Sequence, residues 1–371
     1  MRIAIWIYGG IGGGNYSQGI PALNNFVLRL ANTHDVTVYS ILPANSGFKP
    51  EKYYFKSAGE SISTPILRLF LLVFIFISDH VKKPYKVIHG IWLYPAATVA
   101  VVLGKLLRIP SIASAHGGEA AALPEIDYGN MRDGWVKKLT LWTCQNASVL
   151  NFISAFQFKE MQRHGLQRKA ASIIPFGVAT EIFEPRPKPI SNFIKILHVA
   201  NLTEVKDQFL LLRSFKEIIK KHPAKLRIVG ADYLSGRLQL YARELEIEQD
   251  VTFIGPVPYV EISQHYNWAD FLLHTSLYEG LPSAIVEAMA SGVVVVSTPV
   301  GIVADLGGAY FVVCERRDEN NIASQLLSIW NDKIAQNRLR EMSCNWAHSH
   351  SIELTVQQFE NLYQETLNER S

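Results

Sequence analysis

The chain has 371 residues, 48% of them hydrophobic and 19% charged, which suits two α/β domains with ample cores and excludes a disordered chain. Its net charge of +3 is unevenly spread: residues 1–175 carry 18 Lys and Arg against 9 Asp and Glu, and residues 176–371 carry 18 against 24. A basic first half suits anionic lipid headgroups or a phosphate-bearing acceptor, whereas nucleic acid fits poorly without a dense Lys/Arg patch interleaved with aromatics.

Met1-Arg2 leads straight into a strand pattern over Arg2–Tyr8, so no signal peptide is expected. Gly9, Gly10, Gly12, Gly13 and Gly14 follow in one loop, either a backbone able to approach a ligand or a plain surface loop. A helix over about Pro21–Asn32 and a strand over Asp35–Leu42 come next. No G-x-G-x-x-G fits here, since the last position is Asn15, and Tyr39-Ser40-Ile41 offers no acid for a ribose. A hydride-transferring enzyme thereby loses its main support.

Leu69–Ile77 is apolar but too short to span a bilayer, and reads as a buried helix of an α/β layer. Arg68 on one side and Lys82-Lys83 on the other make membrane docking the alternative. After a short strand, KVIHG, a small-residue helix follows in WLYPAATVAVVLGKLL. Ser111–Ala115 then runs into His116-Gly117-Gly118-Glu119, at the carboxyl end of a parallel strand where ligand crevices form. A lone histidine is more often structural, but the adjacent glycines leave open space around this one. Strands over Ser148–Ser154 and Ala171–Pro175 complete the first domain, and a linker rich in proline (Pro175, Pro185, Pro187, Pro189) follows.

The second domain opens with a buried strand, Lys195–Ala200, and a loop bearing Asn201 and Lys206. Further strands are expected at Leu226–Gly230, Asp250–Gly255 and Phe271–His274. The last leads into YEGLPSAIVEAMASGVVVVSTPVG, Tyr278–Gly301. Pro282 suits a first helical turn, the helix runs Ser283 to about Ala290, and Gly292 permits its left-handed end. Val293–Val296 reads as a strand buried on both faces. Glu287 leans back toward the helix start, where Glu279 also arrives on the loop. That start offers free N–H groups and a positive dipole end, a seat for phosphate. Acids beside such a seat make sense if they grip hydroxyls on either side of a diphosphate, as in a nucleotide-sugar. Taken singly, each reads better as an ordinary solvated acid; the loop–Pro–helix–strand setting gives the functional reading the edge. A last helix spans about Ile352–Leu367, and no D-x-D-like metal site is evident. The cysteines, Cys144, Cys314 and Cys344, lack C-x-x-C spacing, which points to a reducing cytosol.

The Glu279-to-Glu287 spacing in this setting resembles the E-x7-E signature of the retaining GT-B glycosyltransferases of family 4. The resemblance covers most of the chain and is strongest over residues 87–119 and 198–301. It implies an α/β protein of GT-B architecture: two Rossmann-like, doubly wound domains facing a central cleft. Residues 1–175 would be the acceptor side, 176–350 the donor side, and 351–371 a helix crossing back. The implied reaction moves a sugar from a UDP- or GDP-sugar to a hydroxyl of a glycan, lipid-linked or small-molecule acceptor, in polysaccharide, cell-envelope or glycolipid synthesis. It implies retention of configuration; with no D-x-D-like site, the helix dipole and Lys206 are expected to stand in for a cation, so no metal or other cofactor is expected. The cysteines point to a cytoplasmic home, and the basic first half offers contact at the inner face of an anionic membrane as the alternative to a free cytosolic enzyme.

By the same resemblance His116 lies beside the transferred sugar, Glu119 on the acceptor side, and Gly19 near the donor diphosphate. Lys206 contacts that diphosphate; Asn201 stands where the family has arginine and brings hydrogen bonds without charge. Glu279, with Gly280 and Leu281, meets the sugar, the N–H groups of Ser283 and Ala284 the diphosphate, and Glu287 the ribose. His116, Lys206 and Glu279 are the implied catalytic set. Phe176 replaces the family's asparagine, and Ile302 its second glycine. A GT-B epimerase or phosphorylase, and a catalytically silent nucleotide-sugar binding protein, remain the alternatives; the Asn201 departure keeps the silent one open.

Overall fold

The structure is a computed structural model that describes residues 1–17, 19–58, 64–132, 134–188 and 191–368. Pro189 of the expected linker and residues 369–371 of the terminal segment lie outside them. The chain divides into two compact units, Met1–Phe176 with Ile352–Ser371, and Gly177–Ser351.

The first unit holds a parallel seven-stranded sheet ordered β3-β2-β1-β4-β5-β6-β7. Its strands are β1 (Arg2–Ile7), β2 (Asp35–Ser40), β3 (Tyr54–Ser57), β4 (Val87–Ile91), β5 (Ser111–Ala115), β6 (Val149–Phe152) and β7 (Ser172–Ile173). The central strands are buried and mostly apolar, as a sheet covered on both faces requires, with His89, Ser111 and Ser114 the buried polar residues of β4 and β5. Trp6 and Tyr39 stack at 5.2 Å, and Phe76 from the helix Pro65–Lys82 meets both edge-on. The expected buried helix over Leu69–Ile77 needs correction. Leu72 and Phe76 are fully buried, but Phe70 and Phe74 are about seven-tenths exposed. A helix in the outer layer turns one stripe to the sheet, and an apolar sequence on its other stripe stays in solvent. The final helix, Ile352–Asn368, belongs to this unit; its Tyr363 hydroxyl lies 2.8 Å from His89 Nδ1.

The second unit holds a parallel six-stranded sheet ordered β10-β9-β8-β11-β12-β13. These are β8 (Ile194–Val199), β9 (Ala224–Val229), β10 (Val251–Gly255), β11 (Phe271–His274), β12 (Val294–Ser297) and β13 (Val312–Val313). Two apolar layers sandwich the sheet. One gathers Leu211, Phe215 and Leu326 around Ile196 and Val294. The other gathers Tyr266, Ile285 and Met289 around Leu197 and Leu272. The motif helix is Ser283–Ala290, followed by Gly292 at φ +63°. Pro282 is not in its first turn: with φ −72° and ψ 114° it is the extended residue before the helix. It brings no side chain to cap the helix, so the first N–H groups of Ser283–Ala290 have no side-chain cap.

Candidate functional site

In the second unit the strand order reverses between β8 and β11, and ligand crevices form at the carboxyl ends of strands flanking such a switch. Two loops leave there, residues 200–207 and 275–282, and they are tied together. Thr275 Oγ1 donates to the carbonyls of Lys206 and Asp207, both at 3.0 Å. Arg317 donates to the carbonyls of Thr275 (3.2 Å) and Ser276 (2.7 Å) and to the Asp207 carboxylate (2.5 Å). Asp207, not Lys206, caps the helix Gln208–Ile219 by accepting from Leu210 N. The lysine therefore sits one residue ahead of the cap, still beside the positive end of the helix dipole.

This frame brings Lys206 and Glu279 together, Nζ to Oε1 at 2.5 Å. Ser276 Oγ donates to the same oxygen at 2.8 Å, and His274 Nε2 lies 3.3 Å from it. Burial by itself would push the Glu279 carboxyl up, but Lys206 and His274 outweigh it and hold the group well below the usual carboxylate range. Glu279 is thus an ionised acid in a buried polar cluster rather than a solvated loop residue. Gly301 makes room for it: at φ +55° its backbone packs so closely that a Cβ would stand 2.5 Å from the Gly280 carbonyl oxygen.

Glu287, in the motif helix, has a different environment. Its carboxylate is buried and accepts from the Tyr266 hydroxyl at 2.7 Å, among the apolar side chains around Ile285 and Met289. Burial pushes it up to about 7, with the Tyr266 hydrogen bond a smaller opposing effect. Ser283 is exposed and Ala284 buried at the start of the same helix, and Leu281 is partly buried against that apolar layer. Asn201 is exposed, and its Oδ1 accepts from Ala231 N at 3.3 Å. Its carbonyl accepts from Gln208 (3.1 Å), whose amide also lies 3.3 Å from His198 Nε2. Burial pushes the His198 imidazole down to about 3, so it is neutral, with Nδ1 donating to the Leu273 carbonyl.

In the first unit the β5 strand delivers His116 as expected. Burial pushes its imidazole down to about 3, and Nε2 is a buried atom without a hydrogen-bond partner among the described residues. Its ring lies 4.3 Å from that of Phe176, which also stacks on Phe26 at 5.2 Å. The departure at 176 is thus an apolar residue completing this unit's core. Glu119 is buried, and its carboxylate takes three backbone N–H groups: His116 (3.0 Å), Gly117 (2.5 Å) and Leu93 (3.4 Å). It shapes the loop that carries His116. Gly19, at φ +59°, packs against Gly10, where a Cβ would stand 2.3 Å from the carbonyl oxygen. Beside these residues lies a cavity of about 770 Å³ lined by Tyr8, Gly10, Trp92, Tyr94, Glu119 and Tyr128, among others.

Sequence reasoning missed His274, Ser276, Tyr266 and Arg317. His274 ends a parallel strand just as His116 nearly does, so the same rule could have found it. Arg317 left no signal, lying 110 residues from its partner Asp207.

Two family models match the chain, "Glycosyltransferase Family 4" over residues 23–182 and "Glycosyl transferases group 1" over residues 180–346. The D-inositol 3-phosphate glycosyltransferase of Corynebacterium jeikeium is 26% identical over 306 residues, 76% of this chain and 72% of that one. Seven further curated relatives are matched over only 27–42% of their own length. The sucrose-phosphate synthase of Thermosynechococcus elongatus superposes with a TM-score of 0.80 at 20% identity, covering 100% of both chains. HepE of Anabaena, solved with UDP-glucose, does so at 0.76 and 18% identity, again over 100% of both. These likenesses show the fold: two Rossmann-like domains of the GT-B class. The chain belongs to the group 1, or family 4, glycosyltransferases.

Proposed function

We propose that the chain transfers a glycosyl unit from a nucleoside diphosphate sugar to an acceptor hydroxyl, with retention at the anomeric carbon. The observation that carries this reading is the Lys206–Glu279 cluster, held by Thr275 and Arg317 in the unit that also carries the uncapped start of Ser283–Ala290. An ammonium has three donors and Glu279 takes one, leaving two for a diphosphate oxygen. The N–H groups of Ser283 and Ala284 serve the same anion. As the bond from the anomeric carbon to the diphosphate oxygen breaks, the electron pair goes to the diphosphate. These donors stabilise the growing charge, and the acceptor oxygen forms the new bond while passing its proton to the departing diphosphate oxygen. No metal is required in this scheme, because lysine and amides supply the positive charge.

Glu287 holds the ribose hydroxyls and Glu279, beside Gly280 and Leu281, a sugar hydroxyl. His116, neutral and with Nε2 unpartnered among the described residues, hydrogen-bonds the transferred sugar. Asn201 adds an uncharged hydrogen bond to the donor, and Gly10 and Gly19 form the backbone turn that approaches it. Glu119 positions the His116 loop beside the acceptor cavity. A UDP-sugar is the preferred donor, since the structurally similar HepE is solved with UDP-glucose. The test is a panel of UDP-, GDP- and ADP-sugars scored by thermal stabilisation, followed by mass spectrometry of products with hydroxyl acceptors. One nucleotide-sugar should raise the melting temperature and yield a glycosylated product. Stabilisation without transfer or donor hydrolysis would favour a silent binding protein, and no stabilisation by any donor would overturn the reading.

A further inference from the structure

The helix Pro65–Lys82 has two apolar faces, and only one is used by the fold. Leu72 and Phe76 are fully buried against the sheet. On the opposite side Ile66, Leu67, Phe70, Phe74 and Val81 are 59–76% exposed, and Ile77 lies between them at 38%. The spacing Ile66, Phe70, Phe74, Ile77, Val81 follows one side of a helix, so these residues form a continuous stripe about 22 Å long. Single exposed apolar residues are ordinary; a whole stripe with two phenylalanines at its centre marks a surface that something covers.

Charge identifies the occupant. Lys82, Lys83 and Lys86 stand exposed at and just beyond the C-terminal end of the helix, Lys83 also pairing with Asp35 at 2.6 Å. The one acid in the helix, Asp79, is turned away to the Tyr39 hydroxyl (2.8 Å) and Lys56 (3.8 Å). The unit as a whole carries 19 Lys and Arg against 13 Asp and Glu. A second copy of this face would bring like charges together, whereas an anionic bilayer accepts both the rings and the lysines. No described helix is long and apolar enough to cross a membrane, so the stripe lies on the surface.

We propose that this outward face seats the first unit on an anionic lipid surface. Ile66 and Leu69 of the same helix also line the 770 Å³ cavity beside Glu119, so the cavity wall and the lipid-facing stripe are continuous. It follows, resting on the glycosyl-transfer reading, that the acceptor is an amphiphile drawn from the membrane; the docking itself needs no such reading.

The test is flotation of the full chain with vesicles of phosphatidylcholine alone and of phosphatidylcholine mixed with phosphatidylglycerol. The chain should float with the mixed vesicles, less with the neutral ones, and less again as salt rises. Phe70→Ser/Phe74→Ser should lower partitioning at least about tenfold. Its melting temperature should hold, because both rings are already in solvent. Lys82→Glu/Lys83→Glu should remove only the excess binding to anionic vesicles. The proposal is overturned if the unaltered chain floats with neither vesicle, or if the double serine variant floats equally well. A dimer that the serine variant converts to monomer, without vesicle binding, would also overturn it in favour of self-association. Loss of nucleotide-sugar binding with flotation intact would sink the glycosyl-transfer reading and leave the docking standing.

Discussion

Around Glu279 the protein gathers a lysine, a histidine and a serine; around Glu287, on the helix that follows, it supplies one tyrosine and otherwise apolar walls. Both acids are buried, so exposure does not distinguish them. Their partners do. The first is held ionised far below the usual range, and the second titrates near neutrality. One motif thus places two carboxylates of different protonation habit in one unit, the first paired to a cation that can also serve a phosphate. Glu119 in the other unit is a third case, a buried acid satisfied by backbone N–H groups and acting on loop shape.

Removing the cation from the first environment should have the largest effect. Lys206→Ala is expected to lower turnover with a UDP-sugar by about 10²–10³, in the way an oxyanion donor does, with a far smaller loss of stability. Steady-state kinetics beside a melting curve checks it, and equal turnover would take Lys206 out of the chemistry. In the second environment, Glu287→Ala should weaken donor binding by about 1.5–3 kcal/mol, the scale of a hydrogen bond to a charged group. Calorimetric titration reads this directly.

The same contrast has a pH signature. Glu287 binds its proton more tightly folded than unfolded, so its contribution favours the fold at low pH. That contribution is lost as pH rises from 4.5 toward about 7, by up to about 3 kcal/mol. Glu279 has the opposite sign, stabilising above the usual carboxylate range and losing this as acid protonates it. Melting temperatures of Glu287→Gln between pH 5 and 8 should therefore show a flatter profile than the unaltered chain. An identical slope would mean that Glu287 titrates normally. The smallest effect expected is none: a chelator should leave transfer rates unchanged, and a rate restored only by added divalent ion would replace the lysine-and-amide scheme with a metal.

Much of the fold could be read in the amino-acid order because parallel strands covered on both faces leave uninterrupted β-branched runs, as at Val293–Val296. The motif helix was legible from Ser283 to Ala290 for a related reason, a Pro before it and a Gly after it. What escaped was long-range pairing. Nothing local announces that Arg317 will tie Thr275 to Asp207, or that Tyr266 will donate to Glu287. The helix over Leu69–Ile77 misled for a different reason. Hydrophobicity predicts that a segment avoids water, but not whether the fold or a partner removes it from water.

The most direct check is calorimetric titration of UDP-glucose, or whichever nucleotide-sugar stabilises the protein best, into the unaltered chain, Lys206→Ala and Glu287→Ala. If a diphosphate lies against Lys206 and the helix start with its ribose at Glu287, the first binds and each variant binds at least about tenfold more weakly. Equal affinity in all three would place the donor elsewhere.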